Sequence, residues 1–211
     1  MATRTILMAD IIGSRRRSPE KLMEQFSGVC EAANQEFRTH LKSPITITLG
    51  DEFQCVVGSW ESGVDLILFL EEEMVRRDLA FSLRYVLSQG DIGTRVNPEV
   101  AYGMLGEGLT RARETLESSK RSDSRFRFLD GPEPSCGLLN RLFVVYAALR
   151  DAWRPGKDLP LVAHLIKDPD YRSVAAAVGK DPSQIWKRKR TLGIVPYLEL
   201  RESLRSVARM P

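Results

Sequence analysis

ITITLGDEFQCVV, residues 45–57, is the stretch on which the fold turns. Ile45, Ile47 and Leu49 alternate with polar residues, and Phe53, Cys55 and Val57 alternate again. Gly50-Asp51-Glu52 interrupts the two runs with turn residues, so the stretch predicts a strand–turn–strand hairpin. Upstream, Pro19 and Glu20 open a helix in which Leu22, Phe26, Val29, Ala33 and Phe37 recur at helical spacing, and Pro44 is expected to close that pattern. Thr3–Ile11 alternates and ends on acidic and apolar residues, as a buried strand does. Downstream, Trp60–Arg77 has helical spacing and Phe81–Gln89 reads as a strand ending in Gly90-Asp91. Leu109–Ser119 is then helical and Phe126–Leu129 a short strand.

The resulting order β-α-β-β-α-β-α-β belongs to the ferredoxin-like, palm type of α+β domain. Gly131-Pro132-Glu133-Pro134 predicts a boundary that divides a palm domain, 1–131, from a small all-α domain, 135–211. Leu138–Trp153 is a strongly apolar helix that joins the two or pairs with a second copy. Pro196–Arg209 is amphipathic, with Tyr197, Leu198, Leu200, Leu204 and Val207 on its apolar side, and serves the bundle or a dimer interface.

At 211 residues, 43% hydrophobic and 28% charged, the chain is long and apolar enough for a core without staples. Cys30, Cys55 and Cys136 are far apart, and His40 and His164 complete no ligand spacing, which argues against structural zinc and against a disulfide framework. Asp10 and Arg15-Arg16-Arg17 follow the first apolar run, the reverse of a signal peptide, and Val64–Leu70 is too short and charged to span a bilayer. These features predict a cytoplasmic protein with no membrane partner. The net charge of +3 conceals an asymmetry. Residues 135–211 hold 14 Lys+Arg against 7 Asp+Glu, and the remainder holds 17 against 21. A basic tail on an acidic body implies that the tail meets a polyanion.

Two acidic positions carry the chemistry. Asp10 ends the first strand and Asp51 lies in the hairpin turn, so the two carboxylates are expected to face each other across a magnesium (or manganese) ion, with the Ile11 carbonyl as a third ligand. Gly13 and Ser14 let backbone amides approach a phosphate, and Arg15 begins a cationic run beside them.

These residues resemble known families. Ala9–Ser14 (ADIIGS) resembles the first-strand motif of class III nucleotidyl cyclases, and Leu83–Gly93 (LRYVLSQGDIG) their fourth-strand segment. Tyr102–Glu114 (YGMLGEGLTRARE) resembles the following loop and helix, which implies that Arg113 stabilises phosphate charge. Leu49–Phe53 (LGDEF) resembles the hairpin of GGDEF-type cyclases, which implies Asp51 as a metal ligand; Leu49 stands in place of their first glycine. Leu109 and Thr110 occupy the stretch where class III cyclases carry an asparagine. The whole string of motifs is most similar to the SatD family. The cyclase resemblance implies a nucleoside triphosphate substrate and a homodimer.

The tail resembles a helix-turn-helix over 171–193. Tyr171–Val178 is a short helix, Gly179 supplies a left-handed turn, and Asp181-Pro182-Ser183-Gln184 caps a second helix from which Ile185 returns to the core. That second helix offers Ser183, Gln184, Lys187, Arg188, Lys189 and Arg190 to double-stranded DNA. Leu192 and Ile194 are expected to close the core where Lys189 does not. Three functions fit these features. The first is a nucleotide-binding, possibly cyclising, palm coupled to DNA binding. The others are a DNA-binding regulator with a catalytically degenerate palm, and a palm-type nucleotidyltransferase acting on nucleic acid.

Overall fold

The computed structural model describes residues 3–14 and 18–210. The expected hairpin forms: β2 (Leu41–Ile47) pairs antiparallel with β3 (Glu52–Val57). Two details differ from the sequence expectation. Pro44 lies inside β2 rather than before it. It is tolerated because β2 is the edge strand, where a missing N–H need not break a ladder, and the register slips on both sides of Ser43. Leu49 lies past the strand in the turn, 61% exposed.

Among the described residues the sheet has five strands in the order β2-β3-β1-β4-β5, with β1 (Thr3–Ile11) at the centre, β4 (Leu83–Asp91) beside it and β5 (Phe126–Leu129) at the far edge. β1 runs antiparallel to both β3 and β4, and β5 runs parallel to β4. Helices α1 (Pro19–Glu36) and α2 (Trp60–Arg76) connect the first four strands, which gives the ferredoxin-like order, and β5 extends it. β1 is buried on both faces. Leu7, Ala9 and Ile11 join the larger core with residues of α1 and α2, whereas Ile6 and Met8 join a smaller one with Leu109, Ala112 and Leu116 of α3 (Glu107–Ser118). The first turn of α3 lies directly on β4. A Cβ on Gly90 would sit 2.5 Å from the Gly108 Cα, and one on Gly108 2.7 Å from the Gly90 carbonyl carbon, so both positions require glycine.

The C-terminal segment is helical as expected: α4 (Ser135–Asp151), α5 (Leu159–Lys167), α6 (Tyr171–Val178), α7 (Pro182–Thr191) and α8 (Ile194–Ala208). The apolar core continues across 131–135. Trp60, Phe128, Phe143, Tyr146, Tyr197 and Trp153 contact one another in sequence, from α2 and β5 through α4 to α8. A Cβ on Gly131 would meet the Trp60 ring at 2.4 Å, so the connecting segment is packed onto α2. The three cysteines are free and buried, and among the described residues no helix is long and apolar enough to cross a membrane.

One ionic cluster is enclosed in this core. Glu71 of α2 is fully buried and takes two hydrogen bonds from Arg125, at 2.7 and 2.8 Å. Arg125 also donates to the Leu83 carbonyl and to Asp151 of α4, and Arg150 stands 3.5 Å from Glu71. Burial pushes the Glu71 carboxyl up, but Arg125 and then Arg150 outweigh it and hold the group below the usual carboxylate range. A lowered folded-state value contributes stability above the unfolded value, and that contribution is lost as pH falls through the folded value. Arg125→Met leaves a buried carboxylate short of its main partner and is expected to cost about 3–5 kcal/mol in urea melts at neutral pH. It should also move the acid-unfolding midpoint to higher pH. The double variant Glu71→Leu/Arg125→Met should recover part of the loss; no recovery would mean that the cluster contributes by packing alone.

Candidate functional site

The site grows from one row across the sheet. Asp10 on β1 is in register with Glu52 on β3 and with Arg84 on β4. Residues directly opposite point to the same face, here the face that α3 covers and that Met8, Gln54 and Val86 continue. Arg84 Nη1 donates to both Asp10 oxygens, each at 2.8 Å. Lys120, in the short 3-10 turn Ser119–Arg121 after α3, lies 3.8 Å from Asp10 and 4.0 Å from Glu52, and also pairs with Glu117. Burial pushes the Asp10 carboxyl up, Arg84 and Lys120 draw it back, and Glu52 and Asp51 push it up again, leaving it raised. Lys120 is raised in turn, first by its bond to Glu117 and further by Asp10 and Glu52, against burial.

The hairpin turn is fastened to the end of β1. The Asp51 carbonyl accepts from Ile11 N at 2.9 Å, and its Oδ2 accepts from Ser14 Oγ at 2.6 Å. Gly13 makes the bend between them at φ +71°, a conformation that favours glycine. Asp10, Ile11, Gly13, Ser14 and Asp51 therefore gather at one end of the sheet. Arg15 lies outside the described residues. Glu52, rather than Asp51, is the register neighbour of Asp10, because strand alternation puts Asp10 and Glu52 on one face while Asp51 stays in the turn. Among the described residues no group of three or more His, Cys, Asp and Glu side chains is placed to hold a metal ion.

Beside this row opens a cleft of about 570 Å³, walled by the hairpin (Thr48, Leu49), the 102–106 loop and α3. The loop is pinned over the sheet: Gln54 Nε2 donates to the Ala101 carbonyl, and Ala101 N donates to Thr46 Oγ1. Met8 and Gln54 line the cleft two residues along from Asp10 and Glu52, and Arg113 lines it from α3 with its side chain exposed. Leu49, Tyr102 and Leu105 form an exposed apolar rim. Arg84, Lys120 and Gln54 were not singled out from sequence. Their signal is the pairing register and the return of the α3 terminus to β1, neither of which a local pattern carries.

In the tail, Gly179 adopts the left-handed conformation (φ 64°, ψ 36°) and Asp181 caps α7 by accepting from Ser183 N. Ala175 and Ile185 are buried, as are Leu192 and Ile194. Ser183, Gln184, Lys187 and Arg190 are exposed. Two of the four consecutive cations have intramolecular hydrogen-bond partners: Arg188 donates to the buried Asp158, and Lys189 to the Pro169 carbonyl. The sequence run overstates the cations free for a partner, because helical periodicity turns half of them back towards α5 and the α5–α6 connection.

Solved structures of similar arrangement include a bacterial light-regulated adenylyl cyclase, at 12% identity and TM-score 0.42, over 59% of this chain and 73% of that one. Another is the guanylate cyclase domain of RhGC from Catenaria anguillulae in complex with GTP, at 16% identity and TM-score 0.40, over 55% and 72%. No curated protein matches the chain by sequence. The sequence model of the SatD family matches residues 5–206, nearly the whole chain, and the protein belongs to the SatD family.

Proposed function

We propose that the protein binds a nucleoside triphosphate with magnesium or manganese at the Asp10–Asp51 end of the sheet, and DNA through the exposed face of α7, as a regulator that links the two. One observation carries the nucleotide half: a buried carboxylate with a raised pKa at the end of the central strand, with Asp51 and Glu52 near it and a ligand-sized cleft alongside. The donor set fits magnesium in chemistry, being hard oxygens, and in number, since magnesium takes one or two carboxylates and completes its shell with water and phosphate oxygens. It does not form a closed cage. Asp10, the Ile11 carbonyl and Asp51 would hold the ion, which supplies charge neutralisation on the phosphates.

The chain's own groups divide the remaining work. Arg84 and Lys120 pair with Asp10 while no other cation does so, and both are then available to phosphate oxygens. Gly13 offers its backbone amide to the same anion. Arg113 faces the cleft, where it meets charge that develops on a transferring phosphoryl group. In a cyclisation the 3′-hydroxyl releases its proton to water, its oxygen bonds to the α-phosphorus, the bond from that phosphorus to the α–β bridging oxygen breaks, and pyrophosphate leaves. The exposed rim of Leu49, Tyr102 and Leu105 favours a homodimer closed over the cleft. A second reading rests on Arg84. Its guanidinium already satisfies both Asp10 oxygens, as expected of a palm that senses nucleotide or dimerises without turnover.

Calorimetry with each triphosphate, with and without magnesium, tests the site. Asp10→Asn and Asp51→Asn are each expected to weaken metal-dependent binding more than about tenfold, the loss of one charge-assisted contact. Normal binding by both variants would refute the site. Release of pyrophosphate and a cyclic product would select the enzymatic reading, and tight binding without product the sensing one. For the tail, Lys187→Ala/Arg190→Ala should weaken duplex DNA binding and lower its salt dependence by about two counterions. An unchanged salt slope would exclude this face.

A further inference from the structure

We infer that the α6–α7 surface takes an unpaired nucleobase stacked on Trp186, so that its preferred partner is single-stranded or locally opened nucleic acid; this rests on the reading of that surface as nucleic-acid-binding. Of the residues of α7, Ile185 is the buried one. Ser183, Trp186, Lys187 and Arg190 recur at i, i+3, i+4 and i+7 and share one face. Trp60 and Trp153 are buried, and their ring nitrogens donate to Ser135 Oγ and to the Leu192 carbonyl. Trp186 differs from both in being 43% exposed. A large ring with 43% of its surface open to solvent suits a partner that presents a flat apolar face.

The surroundings match a nucleic acid strand in charge and spacing. The Arg190 guanidinium lies over one face of Trp186, 4.9 Å from the ring centre, which leaves the side towards Pro182 and Ser183 for a base, and that of Arg172 lies over Tyr171 at 5.6 Å. Two clefts, of about 410 and 490 Å³, are both walled by Tyr171 and Trp186. One adds Arg190, Val195, Pro196 and Lys189, whose amine is held by the Pro169 carbonyl, and the other adds Arg172, Pro182 and Ser183. Rings alternating with cations serve a strand whose bases offer π-faces and whose phosphates carry charge. An intact duplex keeps its base faces stacked inside and presents only edges and backbone. The excess of basic over acidic residues in 135–211 favours a polyanion over a neutral apolar peptide.

The contrast among the three tryptophans supplies the test. Intrinsic fluorescence of the full chain is titrated at low salt with oligo-dT and, separately, with a duplex of equal length. Oligo-dT is expected to quench saturably, and the duplex to bind with little quenching. Trp186→Ala should weaken oligo-dT binding roughly tenfold, the order of one lost stacking contact, while Trp186→Phe keeps most of the affinity. Helicity by circular dichroism confirms that both variants fold. Absence of quenching, with Trp186→Ala within twofold of the parent, overturns the stacking inference. Duplex binding that still depends on Lys187 and Arg190 would then leave the broader DNA reading standing, and failure of both probes would end both.

Discussion

A carboxylate with no access to water sets the terms for the rest of this structure. Glu71 lies on α2 at the centre of the core, where an unpaired charge would cost several kcal/mol. Arg125 must therefore be present, and in one orientation, which fixes the residue that enters β5. Arg125 has donors beyond those that Glu71 takes, and these reach the Leu83 carbonyl and Asp151. The pair thus locates β4 and α4 as well as itself. The aromatic chain from Trp60 to Trp153 fills the space that this ionic frame defines. The frame contributes geometry more than net stability, since a well-packed apolar trio of the same shape is often as stable.

The same logic, reversed, describes Asp10. Its carboxylate is buried against α3 but retains neighbours of both signs: Arg84 and Lys120 on one side, Glu52 and Asp51 on the other. Where Glu71 ends below the usual carboxylate range, Asp10 ends above it. Glu71 is enclosed, with Arg125 and Arg150 against it, whereas the row that holds Asp10 opens beside a cleft. This difference, more than the identity of either residue, separates the structural acid from the candidate site.

Most of the fold was legible in the sequence, because the signals that specify it are local. Alternation at 45–57, helical spacing at 19–37 and the capped turn at 179–184 each lie within one continuous stretch, and each element forms, with Leu49 in the turn rather than in the strand. Pro44 was misplaced because a proline tells nothing about which edge of a strand faces the sheet. Of the candidate site, the sequence marks the strand-end and turn residues and not the rest of the row across the sheet. Asp10, Gly13, Ser14 and Asp51 lie at strand ends and turns, where residue type alone is informative. Arg84 and Lys120 depend on the antiparallel register of β1 with β4 and on where α3 ends, and those are properties of the assembled sheet. The cationic run 187–190 has a similar limit: a count of charges omits the buried Asp158, which pairs with Arg188.

β4 is where the structural acid and the candidate site meet. Arg84 reaches Asp10 on the α3 face, while the preceding carbonyl, that of Leu83, accepts from Arg125, and Tyr85 N donates to the Arg125 carbonyl. Three consecutive residues thus bind the Asp10 row on one side and the Glu71 cluster on the other. A change that releases Arg84 from Asp10 leaves the β4 backbone still held at Leu83 and Tyr85, so the guanidinium swings on a fixed strand. The Arg84–Asp10 contact is thus separate from the backbone contacts that tie β4 to the cluster and, through Asp151, to α4. For nucleotide at the palm to alter the tail, the signal has to travel by another route. The α3 terminus at Lys120 or a second copy seated on the Leu49–Tyr102–Leu105 rim are the candidates that the geometry leaves open. Both lie on the face of the sheet opposite the core shared with the C-terminal helices.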